Sequence, residues 1–387
     1  MRITAIVEIP VRLHGDVANA LVNFSGHTIS LVAVVSDVIR AGKPVAGVAF
    51  NSIGRFAQSG ILRDRMIPRV LAAQPDSLLD EQNRIDPAEV LRAAMRDEKP
   101  GGHGDRAAAA SALELACWDL NAKLDDEPAY ARIARHFGRE PITGGVPVYA
   151  AGGYYYPDGG IPRLREEMSG YRDLGYDAYK MKIGGAPLAE DLARIEAVID
   201  IAGAADRVAV DANGRFDLSA ATDWGTSLSP YGLRWYEEAG DPLDFDLNRQ
   251  LTDGYPGPVA TGENLFSVQD VTNLVRFGGM RRRHDIFQMD AGLGYGLTEY
   301  ARMLGVLETH GFDRTFAFPH GGHLLNLHIV VGLGLGGCES YPGVFQPFGG
   351  YSEQCVLADG RIAPSDAPGF GLEQKSGLAD LITELLA

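Results

Sequence analysis

Between residues 147 and 342, eight short apolar runs recur with helical or loop text between them: PVYAAGG, AYKMKI, RVAVDAN, LRWYEEA, PVATGEN, IFQMDA, TFAFPHG and CESYP. Strands that alternate with helices pair in parallel through right-handed crossovers, and eight such units close into a barrel. The rival, an open doubly wound sheet, needs a nucleotide fingerprint early in this stretch, and none is there. GLGLGG, from Gly332 to Gly337, matches GxGxxG but leads into the last strand instead of following a strand and opening a helix. The spacing therefore predicts an α/β chain with a (β/α)8-type barrel over 131–349. Some crossovers, such as 240–259, read as loop plus short helix.

Ahead of the barrel the pattern changes. ITAIVEI, TISLVAVVSDVI and PVAGVAF alternate as strands do, with AGK as the turn between the last two, and a three-stranded antiparallel sheet follows. From Leu62 to Lys123 the periodicity is helical, most clearly in DRAAAASALELACWDLNAKL, a strong helix former with a buried stripe. Sheet then helices make an N-terminal α+β capping domain over 1–130, with the segment 350–387, ending in a helix from Ser376, packing back on it.

The last polar residue of each barrel run gives Lys180 and Lys182, then Asp211, Glu237, Glu263, Asp290, His320 and Glu339, at intervals of 19 to 30 residues. Each interval is about one βα unit, so each side chain ends its own strand at the mouth where barrel active sites are built. Acids occupy 51 of 387 positions, so one acid at a strand end means little and only the series carries weight. Asp211, Glu237 and Glu263 come from three neighbouring strands. Three unpaired anions in one place are destabilising, and a hard cation taking oxygen ligands resolves the conflict. Without Cys or His among the ligands, Mg2+ is favoured over zinc. The competing reading pairs these acids with Arg215, Lys180 or Lys182, or has them cap helices.

Lys180 and Lys182 are one residue apart on a strand and share a face. Adjacent ammonium groups near a metal favour losing one proton, which turns Lys182 into a general base; the alternative is that both lysines balance the carboxylates. His320 is five strands on, and Asp290 ends the strand before it. An Asp that accepts from one ring nitrogen makes the other a proton donor or acceptor. His320 and His323 form HxxH without the Glu of the metallopeptidase helix, so a zinc pair is a poor reading. Glu339 is either a protonated carboxyl facing a developing oxyanion or a surface acid.

Composition narrows the partners. Lys and Arg number 35 against 51 Asp and Glu, a net charge of −16 that is the wrong sign for nucleic acid. A chain this acidic that works on a small acid must supply local cations or a metal. Cys117, Cys338 and Cys355 are too few and too scattered for a disulfide framework and suit a reducing compartment. Glu8 and Arg12 break any signal-like stretch at the start, and the longest apolar run, 324–337, is short of a membrane span and contains Asn326 and His328. A cytoplasmic protein, without membrane or nucleic-acid partner, is expected. GxSxG and P-loop motifs are missing.

The KxK pair of Lys180-Met181-Lys182, the three strand-end carboxylates and the His-Asp dyad together resemble the enolase superfamily, whose members use a Lys or His base with Mg2+. KxK with the dyad is similar to the mandelate racemase subgroup. EKPGGHG, YAAGGYYYP, KMKIGGAP, VDANGRF, WYEEAGDPLD, TGENLFS and ESYPGVFQPFGG look like the D-tartrate dehydratase family, and this resemblance spans nearly the whole chain. It implies one Mg2+ per subunit on Asp211, Glu237 and Glu263, and Lys182 removing the proton α to a carboxylate that Lys180 and the metal hold. It further implies His320, oriented by Asp290, protonating the departing β-hydroxyl, with Glu339 hydrogen-bonding the metal-bound carboxylate. The product would be oxaloacetate. A second substrate carboxylate needs its own donors, for which Asn19, Asn51, Lys99 and Tyr156 are the candidates; as alternatives they are ordinary loop residues. FNSIGR departs from the family pattern, which has Asn at the position of Ile53. Other readings stay open: an acid-sugar dehydratase or racemase of the same subgroup, or a binding protein that kept the metal and lost catalysis. A homo-oligomer acting on a small hydroxy acid is expected.

Overall fold

The computed structural model describes residues 1–15, 17–156 and 158–387. β1 (Ile3–Arg12), β2 (Thr28–Arg40) and β3 (Lys43–Phe50) form an antiparallel sheet in that order, as the alternation predicts. The helix Asp105–Leu124 lies against β2 and β3. It differs from the amphipathic helix expected, because 17 of its residues are buried and no polar face remains. Its alanines explain the fit: the helix backbone comes so close to β3 that a Cβ on Gly47 would overlap Ala116 O and Leu120 N. The other side meets the barrel. There the Glu114 carboxylate accepts from Leu297 N (2.9 Å), Thr298 N (3.0 Å), Thr298 Oγ1 (2.6 Å) and Trp118 Nε1 (2.9 Å), capping the helix Leu297–Thr309.

The barrel strands follow in sequence order: β4 (Val146–Gly152), β5 (Tyr179–Lys182), β6 (Val208–Asp211), β7 (Tyr236–Glu237), β8 (Val259–Thr261) and β9 (Ile286–Phe287), each parallel to the next. β10 (Cys338–Ser340) pairs in parallel with β4 and returns the ring to its start. The seventh run, TFAFPHG, is not a full strand. It contributes one parallel bridge, Phe287 to Ala317, and Ala317 O accepts from Gly336 N (3.1 Å) on the way to β10. Pro319 has no N–H to continue the ladder. The result is an α/β fold, a (β/α)8-type barrel under an antiparallel capping unit. The Gly-rich GLGLGG turn serves close packing, since a Cβ on Gly336 would overlap Thr315 O.

The crossover 240–259 carries a ten-residue helix, Phe245–Gly254. Residues beyond 350 touch both units. β11 (Val356–Ala358) and β12 (Arg361–Ala363) form a hairpin whose second strand pairs antiparallel with β4. Farther on, Phe370 N donates to Asp119 Oδ1 (2.7 Å) in the capping unit, and the helix Leu378–Leu385 contacts β1. The capping loop after β3 is pinned to the barrel mouth, with Ser52 N donating to Gly292 O (3.0 Å) and Ser52 Oγ 2.9 Å from His323 Nε2. Among the described residues, no helix is long and apolar enough to cross a membrane.

Candidate active site

Register sets the site. Lys182 pairs with Asp211 across β5 and β6, and Asp211 with Glu237 across β6 and β7, so the three strand ends stand level. Asp211, Glu237 and Glu263 each bring a carboxylate oxygen within 4.8 Å of the others. Trp235 Nε1 (2.8 Å) and Gln288 Nε2 (2.7 Å) both donate to Glu237 Oε2, which orients that carboxylate. Asn213 N donates to Asp211 Oδ1 (2.8 Å).

Charge in this pocket is dense and buried. Burial pushes the Glu237 carboxyl up, the Asp211 charge adds to it, Lys180 opposes, and the carboxyl is held at about 8. Burial works against the charge of Asp211 as well, but Lys182 and Lys180 outweigh it and hold that carboxyl well below the usual range. An all-oxygen cluster in which one member is driven towards its neutral form by its neighbour suits a hard dication. The triad is thus a site for one Mg2+.

Lys180 is buried between carboxylates, its Nζ 2.6 Å from Glu237 Oε1 and 2.8 Å from Glu339 Oε1. Lys182 Nζ is 2.5 Å from Asp211 Oδ2 and 5.4 Å from the centre of the Tyr154 ring. Among these side chains Lys182 is held above its ordinary value: burial, the largest effect, lowers it, but Asp211, Tyr154 and Glu263 together raise it by more, and Lys180 only partly offsets them. The acids outnumber the lysines, so Lys182 loses its proton readily only when Asp211 is engaged by another cation.

His320 stands at the other flank of the triad. Its Nδ1 is 3.1 Å from Asp290 Oδ2, and its Nε2 is 3.7 Å from Glu263 Oε2. Asp290 is itself fixed by Gly292 N (2.7 Å) and Asn326 Nδ2 (3.0 Å). Burial would lower the imidazole, but Glu263 and the bond to Asp290 raise it to about 9, so at neutral pH it carries a proton to give. His323 differs: burial pushes it down to about 4, and it serves Ser52 instead of a metal. Both readings of Glu339 need correction. It is neither on the surface nor protonated, for although burial raises it, Lys180 and His320 bring it below its ordinary value. Its Oε2 accepts from Gly321 N (2.9 Å) and Tyr341 OH (2.9 Å).

Of these groups Lys182, Glu263 and His320 line one cavity of about 260 Å3, together with Asn19 and Ile53 of the capping unit, while Lys180, Asp211, Glu237, Asp290 and Glu339 lie behind its wall. The three other candidates for the second carboxylate are not brought there. Asn51 is a buried strut whose Oδ1 accepts from Ser30 N (2.7 Å). Lys99 is exposed beside a different groove, with Glu98 and Arg106. Tyr156 turns its hydroxyl to Glu167 (2.8 Å) and its ring under Arg163. A larger groove of about 820 Å3 lies between Trp118 and Arg84, but its arginines are already paired with Asp125 and it holds none of the strand-end groups.

Six polar wall residues are not singled out by the sequence: Arg55, Tyr154, Asn213, Glu238, Asn264 and Tyr341. Tyr341 follows Glu339 by two residues, the same-face spacing that singled out Lys180 and Lys182, and its hydroxyl is 3.2 Å from His320 Nε2. Glu238 and Asn264 each directly follow a triad member, and Asn264 Nδ2 bridges to Glu238 Oε1 (3.0 Å). Behind the cavity, Arg194 is buried and donates to Lys182 O (3.0 Å) and Gly153 O (2.7 Å) while pairing with Asp191 (2.5 Å).

Comparison with known proteins agrees with this architecture. The L-talarate/galactarate dehydratase of Salmonella typhimurium is 27% identical over 342 residues, 88% of this chain and 80% of that protein. The arabinonate dehydratase of Saccharolobus solfataricus is 25% identical over 287 residues, 72% of this chain and 73% of that protein. The crystal structure of L-talarate dehydratase from Polaromonas sp. JS666, complexed with Mg and L-glucarate, superposes with a TM-score of 0.74 at 22% identity, covering 98% of this chain and 96% of that one. Residues 163–377 match the family described as enolase C-terminal domain-like. The chain belongs to that family, within the enolase and mandelate racemase superfamily.

Proposed function

We propose that the protein is a Mg2+-dependent hydro-lyase that dehydrates a small hydroxy-diacid, with D-tartrate to oxaloacetate as the specific reaction. The observation that carries this reading is the placement of Lys182 and His320 on opposite flanks of one carboxylate triad, Lys182 at Asp211 and His320 at Glu263, both facing one cavity. A base on one side and an acid on the other is what elimination of water requires.

Asp211, Glu237 and Glu263 would hold Mg2+, which supplies Lewis-acid charge for the substrate carboxylate. Lys180 adds a fixed positive charge beside that carboxylate, held in place by Glu237 and Glu339. Lys182 takes the α-proton, and the electron pair of the C–H bond passes into the carboxylate. His320 then gives its proton to the β-hydroxyl, the C–O bond breaks, and water leaves as the double bond forms. The enol tautomerises to the keto acid. Asp290 holds the imidazole with Nε2 towards the cavity, and Tyr341 steadies that nitrogen.

The test is α-proton exchange in D2O alongside keto-acid formation. Lys182→Ala abolishes both; His320→Asn keeps exchange and loses dehydration. Exchange at the wild-type rate in Lys182→Ala removes the lysine from the mechanism.

A further inference from the structure

A diacid brings a second carboxylate into a cavity whose walls already carry Glu238, Glu263 and their neighbours. In a chain of net charge −16, that carboxylate needs a dedicated cation. Lys180 and Lys182 are committed to the triad and Glu339, and His320 to Asp290. Among the described residues, the remaining cation lining the cavity is Arg55, on the capping loop that follows β3.

Arg55 is built like a receptor. Its Nη2 donates to Asn264 Oδ1 (3.0 Å), and its guanidinium lies over the Phe266 ring, 5.1 Å from the centroid. Both contacts fix the plane of the fork. Among the described residues no carboxylate lies within ion-pair distance of it, whereas the other cations of the cavity each have one. The loop is held at Ser52, which is bonded to Gly292 O and His323. The fork thus lines the same cavity as the proton donor. Asn19 lines the same cavity; its Oδ1 is taken by Leu21 N and Val22 N, which leaves its amide nitrogen as a donor.

Resting on the dehydratase reading and narrowing it, we propose that Arg55, with Asn19, forms a subsite for the distal carboxylate and makes the enzyme select diacids over monoacids of equal length. A guanidinium pairs with a carboxylate through two parallel hydrogen bonds, a geometry neither Asn19 nor a lysine reproduces.

The experiment is calorimetric binding of succinate and of butyrate, two four-carbon acids without hydroxyls to eliminate, to the Mg2+-loaded protein. Wild type is expected to prefer succinate by about 10- to 100-fold, the range for hydrogen bonds to a charged group. Arg55→Gln brings the two acids within about threefold of each other, and Arg55→Lys, which keeps the charge without the fork, falls between. Equal binding by wild type, or an unchanged preference in either variant, overturns the subsite. The two proposals fail separately. An Arg55-dependent succinate preference without any dehydration sinks the proposed function and leaves the subsite; dehydration without diacid preference does the reverse.

Discussion

Arg194 ties Lys182 to the loop beside it, and removing it tests how much of the site's geometry is stored behind the cavity. Its guanidinium bonds Lys182 O, Gly153 O and Tyr154 O and pairs with Asp191, all in a buried setting, while the Tyr155 ring packs 4.2 Å away. Arg194→Met leaves the Asp191 charge without its partner. Breaking one side of a buried pair costs about 3–5 kcal/mol, and here the lower end applies, because Tyr155 OH and Gly184 N still donate to Asp191. Urea unfolding of wild type, Arg194→Met, Asp191→Asn and the double variant measures it, and the double variant should lose less than the sum of the singles. The catalytic signature is separate from stability. Lys182 and Tyr154 both shift when their carbonyls lose the anchor, and a displacement of about 1 Å costs roughly 100-fold in rate. The loss should fall on kcat with KM little changed, and Arg194→Lys should recover part of it. A destabilisation below about 1 kcal/mol, or a loss confined to KM, refutes the reasoning.

Two further outcomes follow from groups remote from the chemistry. Glu114→Ala strands the buried donors Leu297 N, Thr298 N and Trp118 Nε1, at about 1–3 kcal/mol each before water relieves some of them, so urea unfolding should show a loss of about 3 kcal/mol or more. His328 is held at about 3 by burial, below its unfolded value, so the unfolded chain binds the extra proton and stability falls as pH drops below about 6.5. Between pH 7.5 and 5.5 the wild type should lose about 1.4 kcal/mol more than His328→Leu, and parallel pH profiles for the two would refute the assignment.

The strand ends were legible because barrel geometry converts a spacing of one βα unit into a common rim, and Lys180, Lys182, Asp211, Glu237, Glu263, Asp290 and His320 all stand on it. The same-face rule applied to ESYP and VDAN would also have found Tyr341 and Asn213. Other features depend on tertiary contacts that no local pattern encodes. The seventh strand shrinks to one bridge at Ala317, ahead of Pro319, which has no N–H to give. The helix Asp105–Leu124 reads as amphipathic until the barrel covers its second side. Arg194 with Asp191 looks like a surface pair one helical turn apart, and only the fold buries it. Asn51 and Lys99 have donor side chains on capping loops and Tyr156 follows β4, but the paths of such loops depend on long-range contacts such as Ser52 with Gly292, which is also why Arg55, two residues beyond Ile53, does not stand out in the sequence.

The most direct test of the account is keto-acid formation from each tartrate stereoisomer and a panel of acid sugars, with Mg2+ and with chelator. The account predicts oxaloacetate from D-tartrate alone, lost on chelation and restored by Mg2+. Turnover of another acid with none from tartrate contradicts the substrate, and keto-acid formation that persists in chelator contradicts the role given to Asp211, Glu237 and Glu263.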